Sequence, residues 1–236
     1  GHATVSFFSE KNWEIITCSR EAPPEECLRD LNWSHHITAD LANANSIDAF
    51  IEEANAFLGE RPLHGLVNNA GWSPKSPIQE RLGCLNGNLD AWRTVFELNF
   101  FAPLRLARGF ASSLTKGKGS IVNITSIAGH AIHPFAGSAY STSKAALASL
   151  TRELANEFAD LGVRVNSVAP GEIETAMLSE QTEVLIPRQV TMLLHVRSRS
   201  TSSKATMSLS LSLATPDNSV VKRPSNTLAS GRPCPP

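Results

Sequence analysis

Residues Ser120 to Lys144 read SIVNITSIAGHAIHPFAGSAYSTSK. The β-branched run Ile121 to Thr125 predicts a strand, the glycine-containing segment after it a loop, and the spacing from Ser138 onward a helix. On that helix Tyr140 and Lys144 stand four residues apart, so both side chains leave the same face. Ser126 lies where the strand ends. A phenol, an ammonium and a hydroxyl therefore gather at the carboxyl edge of a sheet, where open α/β folds place their ligands. Such a group suits proton transfer to or from an alcohol or ketone oxygen. The ammonium is expected to pull the phenol below its ordinary value of about 10, making Tyr140 a general acid or base, with Ser126 holding the substrate oxygen. Taken alone the same residues also describe a half-buried helix tyrosine, a solvated lysine and a strand-end cap.

Further motifs flank this stretch in a fixed order. Leu63 to Val67 predicts a short buried strand delivering Asn68-Asn69-Ala70-Gly71, whose small residues allow close backbone approach to a ligand. Asp90 to Leu114 predicts one long helix. It carries Asn99, and Pro103 four residues later has no N–H to give the Asn99 carbonyl, so a kink is expected there. After Tyr140-x-x-x-Lys144 comes the strand Val163 to Val168 and then Pro170-Gly171-Glu172-Ile173-Glu174-Thr175.

On these motifs the chain resembles the short-chain dehydrogenases/reductases of the Rossmann type, over roughly the first 188 residues, and is nearest their 3-oxoacyl-carrier-protein reductase branch, although sugar and alcohol dehydrogenases share every one of these motifs. The resemblance implies a doubly wound α/β domain with a parallel sheet between helices. It also implies reversible hydride transfer between a nicotinamide cofactor and a carbonyl or alcohol substrate, with Asn99, Ser126, Tyr140 and Lys144 as the catalytic set. The Asn99 carbonyl would hold a water that continues a proton path from Lys144. Asn68, Ala70 and Gly71 would border the adenosine side of the cofactor, and Asp40 with Leu41 would edge the adenine. Pro170, Gly171, the Ile173 backbone and the Thr175 hydroxyl would meet the nicotinamide end, although Thr175 also suits a helix N-cap. His130, His133 and Phe135 precede Tyr140 where the family's substrate lies. The Asn99 helix and the Tyr140 helix would pack against a second subunit, implying a homo-oligomer, a tetramer or dimer.

The N-terminal part departs from the family. His2 to Glu10 predicts a short helix and Trp13 to Cys18 a strand, but no strand and glycine-rich turn precede them. Gly1 corresponds to the last glycine of the family's phosphate turn, so the first strand and most of that loop are expected to be missing, and an inactive fragment or noncatalytic interaction partner stays open as the alternative. After the Trp13 to Cys18 strand, Arg20 stands where an acid would favour NAD(H) and an arginine a 2′-phosphate; NADP(H) is favoured and NAD(H) remains possible. A short strand follows in HHITADL, then a covering helix from Ser46 to Leu58.

Composition bounds the rest. The 236 residues, 42% hydrophobic, suffice for one α/β domain with a sizeable core, and a formal net charge of −1 provides no field to recruit nucleic acid or a membrane. No apolar run approaches a membrane span and no signal pattern opens the chain. Cys18, Cys27, Cys84 and Cys234 are scattered without a paired spacing, which favours reduced thiols in the cytoplasm, and the histidines lack ligand spacing, so no metal is expected. Residues 1–188 hold 15 basic and 21 acidic residues, net −6, whereas residues 189–236 hold 6 and 1, net +5. That second segment, Ser/Thr/Pro-rich and without glycine from 172 to 230, is expected to be a disordered or frame-shifted tail.

Overall fold

A computed structural model describes residues 1–23, 35–76, 80–171, 173 and 193–195. The helix expected at the start forms α1, His2–Ser9. Two strands follow, β1 (Ile16–Ser19) and β2 (His35–Thr38), then α2 (Ala44–Leu58). The Asn43 side chain accepts from the Ser46 N–H at 3.2 Å to cap the start of α2, and Gly59 at φ +57° ends it. Strand β3 (Gly65–Asn68) leads through a long loop to α3, Leu89–Phe96.

The long helix expected over residues 90–114 is divided. After α3 the backbone makes a π-helical turn over Glu97–Phe101, resumes as α4 (Ala102–Gly109), and bends again at Phe110 before α5, Ala111–Lys116. Pro103 supplies the reason: a residue without an N–H sits best in a new first turn, so the ladder shifts register before it, with the Ala102 N–H reaching back to the Glu97 carbonyl. Asn99 lies inside the π turn.

Strand β4 (Ser120–Ile124) is followed by a 3-10 turn, Ile127–Gly129, and by α6, Ser138–Glu157, which packs on β4 and on β5, Arg164–Ala169. β3, β4 and β5 run parallel, with Leu66 opposite Ile121 and Ile121 opposite Val165. A last short strand, β6 (Leu193–His195), pairs antiparallel with β5. The sheet is therefore not wholly parallel, and a reversed edge strand is common on such sheets. The rest of the basic segment 189–236 lies outside the described residues, as do Cys27 and Cys234.

β1 pairs in parallel with β2 but not with β3, so the strands form a two-stranded and a four-stranded sheet. The Ile15 and Ser19 carbonyls accept from His35 and Ala39, which turns those residues toward β2 and leaves Ile16 and Cys18 facing the opposite edge. One apolar cluster serves both sheets. Ile37, Ile47 and Phe50 come from the β2–α2 side, Leu106, Phe110 and Leu114 from α4 and α5, and Ile121, Val165 and Phe158 from the four-stranded side. No helix among the described residues is long and apolar enough to cross a membrane.

Candidate active site

The site forms at the carboxyl ends of β3 and β4 and the first turns of α6. Beneath it a buried polar chain fixes these elements to each other. Asn68 donates to Asn123 Oδ1 at 2.8 Å, Asn123 donates to the Thr151 hydroxyl at 2.9 Å, and Thr151 donates to the Leu147 carbonyl at 2.7 Å. Asn68 Oδ1 is buried without a hydrogen-bond partner among the described residues.

Asn99 is fully buried and held on three sides. Its Oδ1 accepts from the Trp72 N–H at 2.9 Å, and its Nδ2 donates to the Trp72 carbonyl at 3.1 Å and to the Ser143 hydroxyl at 3.0 Å. The side chain therefore pins the segment after Gly71 to α6. Lys144 is only 3% exposed, and its Nζ donates to the Ile124 carbonyl at 2.7 Å while lying 5.7 Å from the centre of the Tyr140 ring. A Cβ placed on Gly71 would stand 3.2 Å from Lys144 Nζ and 3.5 Å from Asn99 Oδ1, so glycine leaves the backbone open at that point.

Ser126 ends β4 and accepts from the Ala128 N–H at 3.2 Å, starting the 3-10 turn; its hydroxyl is also bonded to Tyr140. Tyr140, Ser126, Lys144 and Asn99 thus converge, as expected. The expected electrostatics do not follow. Burial pushes the Tyr140 phenol above its ordinary value, and the Ser126 hydrogen bond pulls only partly the other way. Burial also lowers the Lys144 ammonium to about 8. The ammonium is directed at a backbone carbonyl and lies over the ring, so desolvation outweighs any pull on the phenol.

The remaining expected residues are distributed around this centre. Asp40 is exposed and its Oδ1 accepts from the Ala42 N–H at 2.9 Å, whereas Leu41 is buried in the core, so only its backbone can edge a ligand. Arg20 is exposed just past β1. Gly1 caps α1, and a Cβ there would stand 3.3 Å from Asn69 Nδ2. Ala70 is exposed, the Pro170 carbonyl accepts from the Ile127 N–H at 3.1 Å, Gly171 is half-buried, and Ile173 is exposed. Thr175 lies outside the described residues. His130 is exposed, and His133 accepts through Nδ1 from the Phe135 and Ala136 N–H groups at 3.3 and 3.2 Å, shaping its own loop.

A shallow crevice opens beside Tyr140, lined by Pro74, Leu82, Ala91, Trp92 and Ala139 among others. From sequence, residues 72–88 read as a polar loop able to flank the substrate entrance, with a variable surface loop preferred, and Trp92 as one apolar position of a packing helix.

Comparison with known proteins identifies the family. The sequence pattern of the short chain dehydrogenase family matches residues 1–185. Protein FixR of Bradyrhizobium diazoefficiens is 50% identical over 187 residues, covering 79% of this chain and 67% of its own. A Brucella ovis oxidoreductase of the short chain dehydrogenase/reductase family, solved with a partially ordered NAD, superposes with a TM-score of 0.71 at 49% identity, covering 78% of this chain and 83% of that one. A 3-oxoacyl-[acyl-carrier protein] reductase from Brucella melitensis with bound NAD gives 0.68 at 25% identity, with 78% and 70% covered. The chain spans about two thirds of the length of the curated relatives it matches, for example 65% of a Penicillium ochrochloron short-chain dehydrogenase. With the motifs in order, their side chains gathered at one sheet edge and these likenesses across the same residues, the chain belongs to the short-chain dehydrogenase/reductase family.

Proposed function

We propose that this protein interconverts a carbonyl compound and its alcohol with a nicotinamide cofactor, Tyr140 acting as general acid and base. The observation that carries the proposal is the convergence of Tyr140, Ser126, Lys144 and Asn99 around the open backbone at Gly71. Gly71, which the family resemblance put on the adenosine side, stands against Lys144 and Asn99, where a methyl group would fill the approach, and this open backbone suits the nicotinamide end of a cofactor. Ile173 and Thr175 would hold that end, Asp40, Leu41, Asn68 and Ala70 the adenosine end, and Gly1 the phosphates. The cofactor, when bound, supplies or accepts the hydride. In the reducing direction Tyr140 gives its proton to the substrate oxygen as the carbonyl carbon gains hydride; in the oxidising direction it takes that proton back. Ser126 holds the oxygen, and Lys144 with the Asn99 carbonyl returns the proton from solvent. The substrate proposed is a carbonyl compound like those of the 3-oxoacyl-carrier-protein reductases, with its apolar portion toward Leu82 and Trp92 and with His130, His133 and Phe135 at the outer wall. A homo-oligomer is proposed from the exposed small residues Ala145 and Ser149 of α6 and the 40% exposed Phe101.

The test is fluorescence titration of the chain with NADPH and NADH, with turnover of a ketone panel by wild type and Tyr140→Phe. We expect dissociation constants on the order of micromolar and a loss of about 10²- to 10⁴-fold in kcat for the phenylalanine variant. A preference for NADPH that Arg20→Asp reverses supports the arginine as a 2′-phosphate contact, whereas a preference for NADH assigns this chain the cofactor seen in the Brucella ovis relative. Tyr140→Phe turning over like wild type would overturn the acid–base assignment.

A further inference from the structure

The loop between Gly71 and α3 holds two cations whose bonding the proposed reaction does not use. Arg81 Nε donates to the Ala136 carbonyl at 2.9 Å, and its Nη2 donates to the Ser138 hydroxyl at 3.2 Å. Lys75 donates from its ammonium to the Phe135 carbonyl, and burial lowers that ammonium from its ordinary value. Lys75 and Arg81 are joined to each other by an antiparallel backbone bridge. Next to Arg81, the Leu82 carbonyl accepts from the Ser138 N–H at 2.9 Å. Two consecutive residues just before α6, and the first residue of α6 itself, are thus tied to one short stretch more than 50 positions earlier in the chain.

Helix stability does not account for this arrangement. The first N–H groups of a helix have no acceptor within it and Gly137 at the cap offers no side chain; the Leu82 carbonyl takes one of them, the Ser138 N–H, whereas Arg81 and Lys75, being donors, can take none. A cation beside a helix N-terminus is opposed by the helix dipole. Arg81 stands there nonetheless, with its guanidinium fork spread over a carbonyl and a hydroxyl, a geometry that restrains orientation as well as distance. Ser138 is buried and lies two residues before Tyr140, whose contact with Ser126 depends on how the first turn of α6 is seated. Leu82, carried by the same stretch, lines the crevice beside Tyr140.

We infer that Arg81, assisted by Lys75, is a positioning residue for Tyr140: it fixes the first turn of α6 so that the phenol stays buried against Ser126. The inference rests on the reading of Tyr140 as the acid and base, but its test does not require turnover. Tyr140 is the sole tyrosine of the chain, so phenolate absorbance reports that one side chain.

The experiment titrates phenolate absorbance in wild type, Arg81→Met, Arg81→Lys and Lys75→Met, with Tyr140→Phe as the blank, and follows amide exchange at Ser138 and kcat and KM in parallel. Arg81→Met is expected to move the midpoint down, toward that of a solvated tyrosine. Exchange at Ser138 should quicken about tenfold or more, and kcat should fall roughly 10- to 100-fold with cofactor affinity unchanged. Arg81→Lys should not restore the wild-type midpoint, because an ammonium cannot span both acceptors; Lys75→Met should give a smaller shift in the same direction. If Arg81→Met does not fold, the other two variants carry the test. A midpoint equal to wild type in folded variants that have lost only thermal stability overturns the inference. A shifted midpoint in a chain whose turnover ignores Tyr140→Phe upholds the positioning and overturns the acid–base reading instead.

Discussion

Lys144 shows most directly how burial sets the chemistry of the site. Lys144 is 3% exposed and its ammonium is bonded to a neutral carbonyl, so the charged form is disfavoured and its value falls from 10.5 to about 8. Between those values the unfolded chain binds more protons at this position than the folded chain does. Stability from this group therefore rises with pH from about 8 to 10.5, and below 8 the full penalty is present. At 1.36 kcal/mol per unit the penalty is about 3 kcal/mol. Cys18, raised by burial to about 11, and Tyr140, also raised, act in the opposite sense at the alkaline end, because there the folded chain holds protons that the unfolded chain releases. The Lys144 contribution is isolated by comparison with Lys144→Met. Thermal melts at pH 7 should show the methionine variant more stable by about 1–3 kcal/mol, with the gap closing toward pH 10. A gap constant across that range would mean that Lys144 titrates like an exposed lysine.

The elements around Tyr140 were legible to the extent that their signals are local. The i, i+4 spacing of Tyr140 and Lys144, the β-branched run before Ser126 and the apolar spacing of α2 are all read within a few residues, and the structure places those elements as expected. The π turn was half legible: Pro103 announced a break, but the return of Asn99 onto Trp72, 27 residues away, depends on tertiary packing that no window of sequence contains. The Lys75–Arg81 stretch was missed for the same reason, since two cations in a polar loop look solvated until their carbonyl partners are known. Gly129 is a further case. It reads as an ordinary loop glycine, yet a Cβ there would meet the Ala145 nitrogen at 2.8 Å and the Lys144 carbonyl carbon at 2.9 Å. The 3-10 turn after Ser126 thus rests directly on the backbone of α6 at the lysine. Gly129→Ala should push turn and helix apart, destabilising by about 1–3 kcal/mol and lowering kcat more than cofactor affinity. Unchanged melting and unchanged kcat would show that the contact relaxes freely.

At the scale of the molecule, two sheets depend on one core. The pair β1–β2 shares no ladder hydrogen bond with β3 among the described residues, so its attachment to the four-stranded sheet is made by side chains. At the surface these include the Trp13–His64 edge contact and the exposed Arg61–Glu14 pair, and an exposed pair is worth little. The interior tie is stronger. Phe50 of α2 meets Phe110, at the junction of α4 and α5, edge to face at 6.0 Å, and the cluster around them takes in Ile37 on one side and Ile121 and Val165 on the other. Phe110 is 3% exposed, so Phe110→Ala should cost about 3–5 kcal/mol. The loss should also be uneven, because β4 and β5 keep their ladder and their packing on α6 while β2 and α2 lose what holds them to the rest. Amide exchange measured residue by residue would then show protection falling in β2 and α2 well before it falls in β4 and β5. Equal loss across both sheets would mean instead that the cluster behaves as one indivisible core, and that the break between β1 and β3 leaves no seam in the folded molecule.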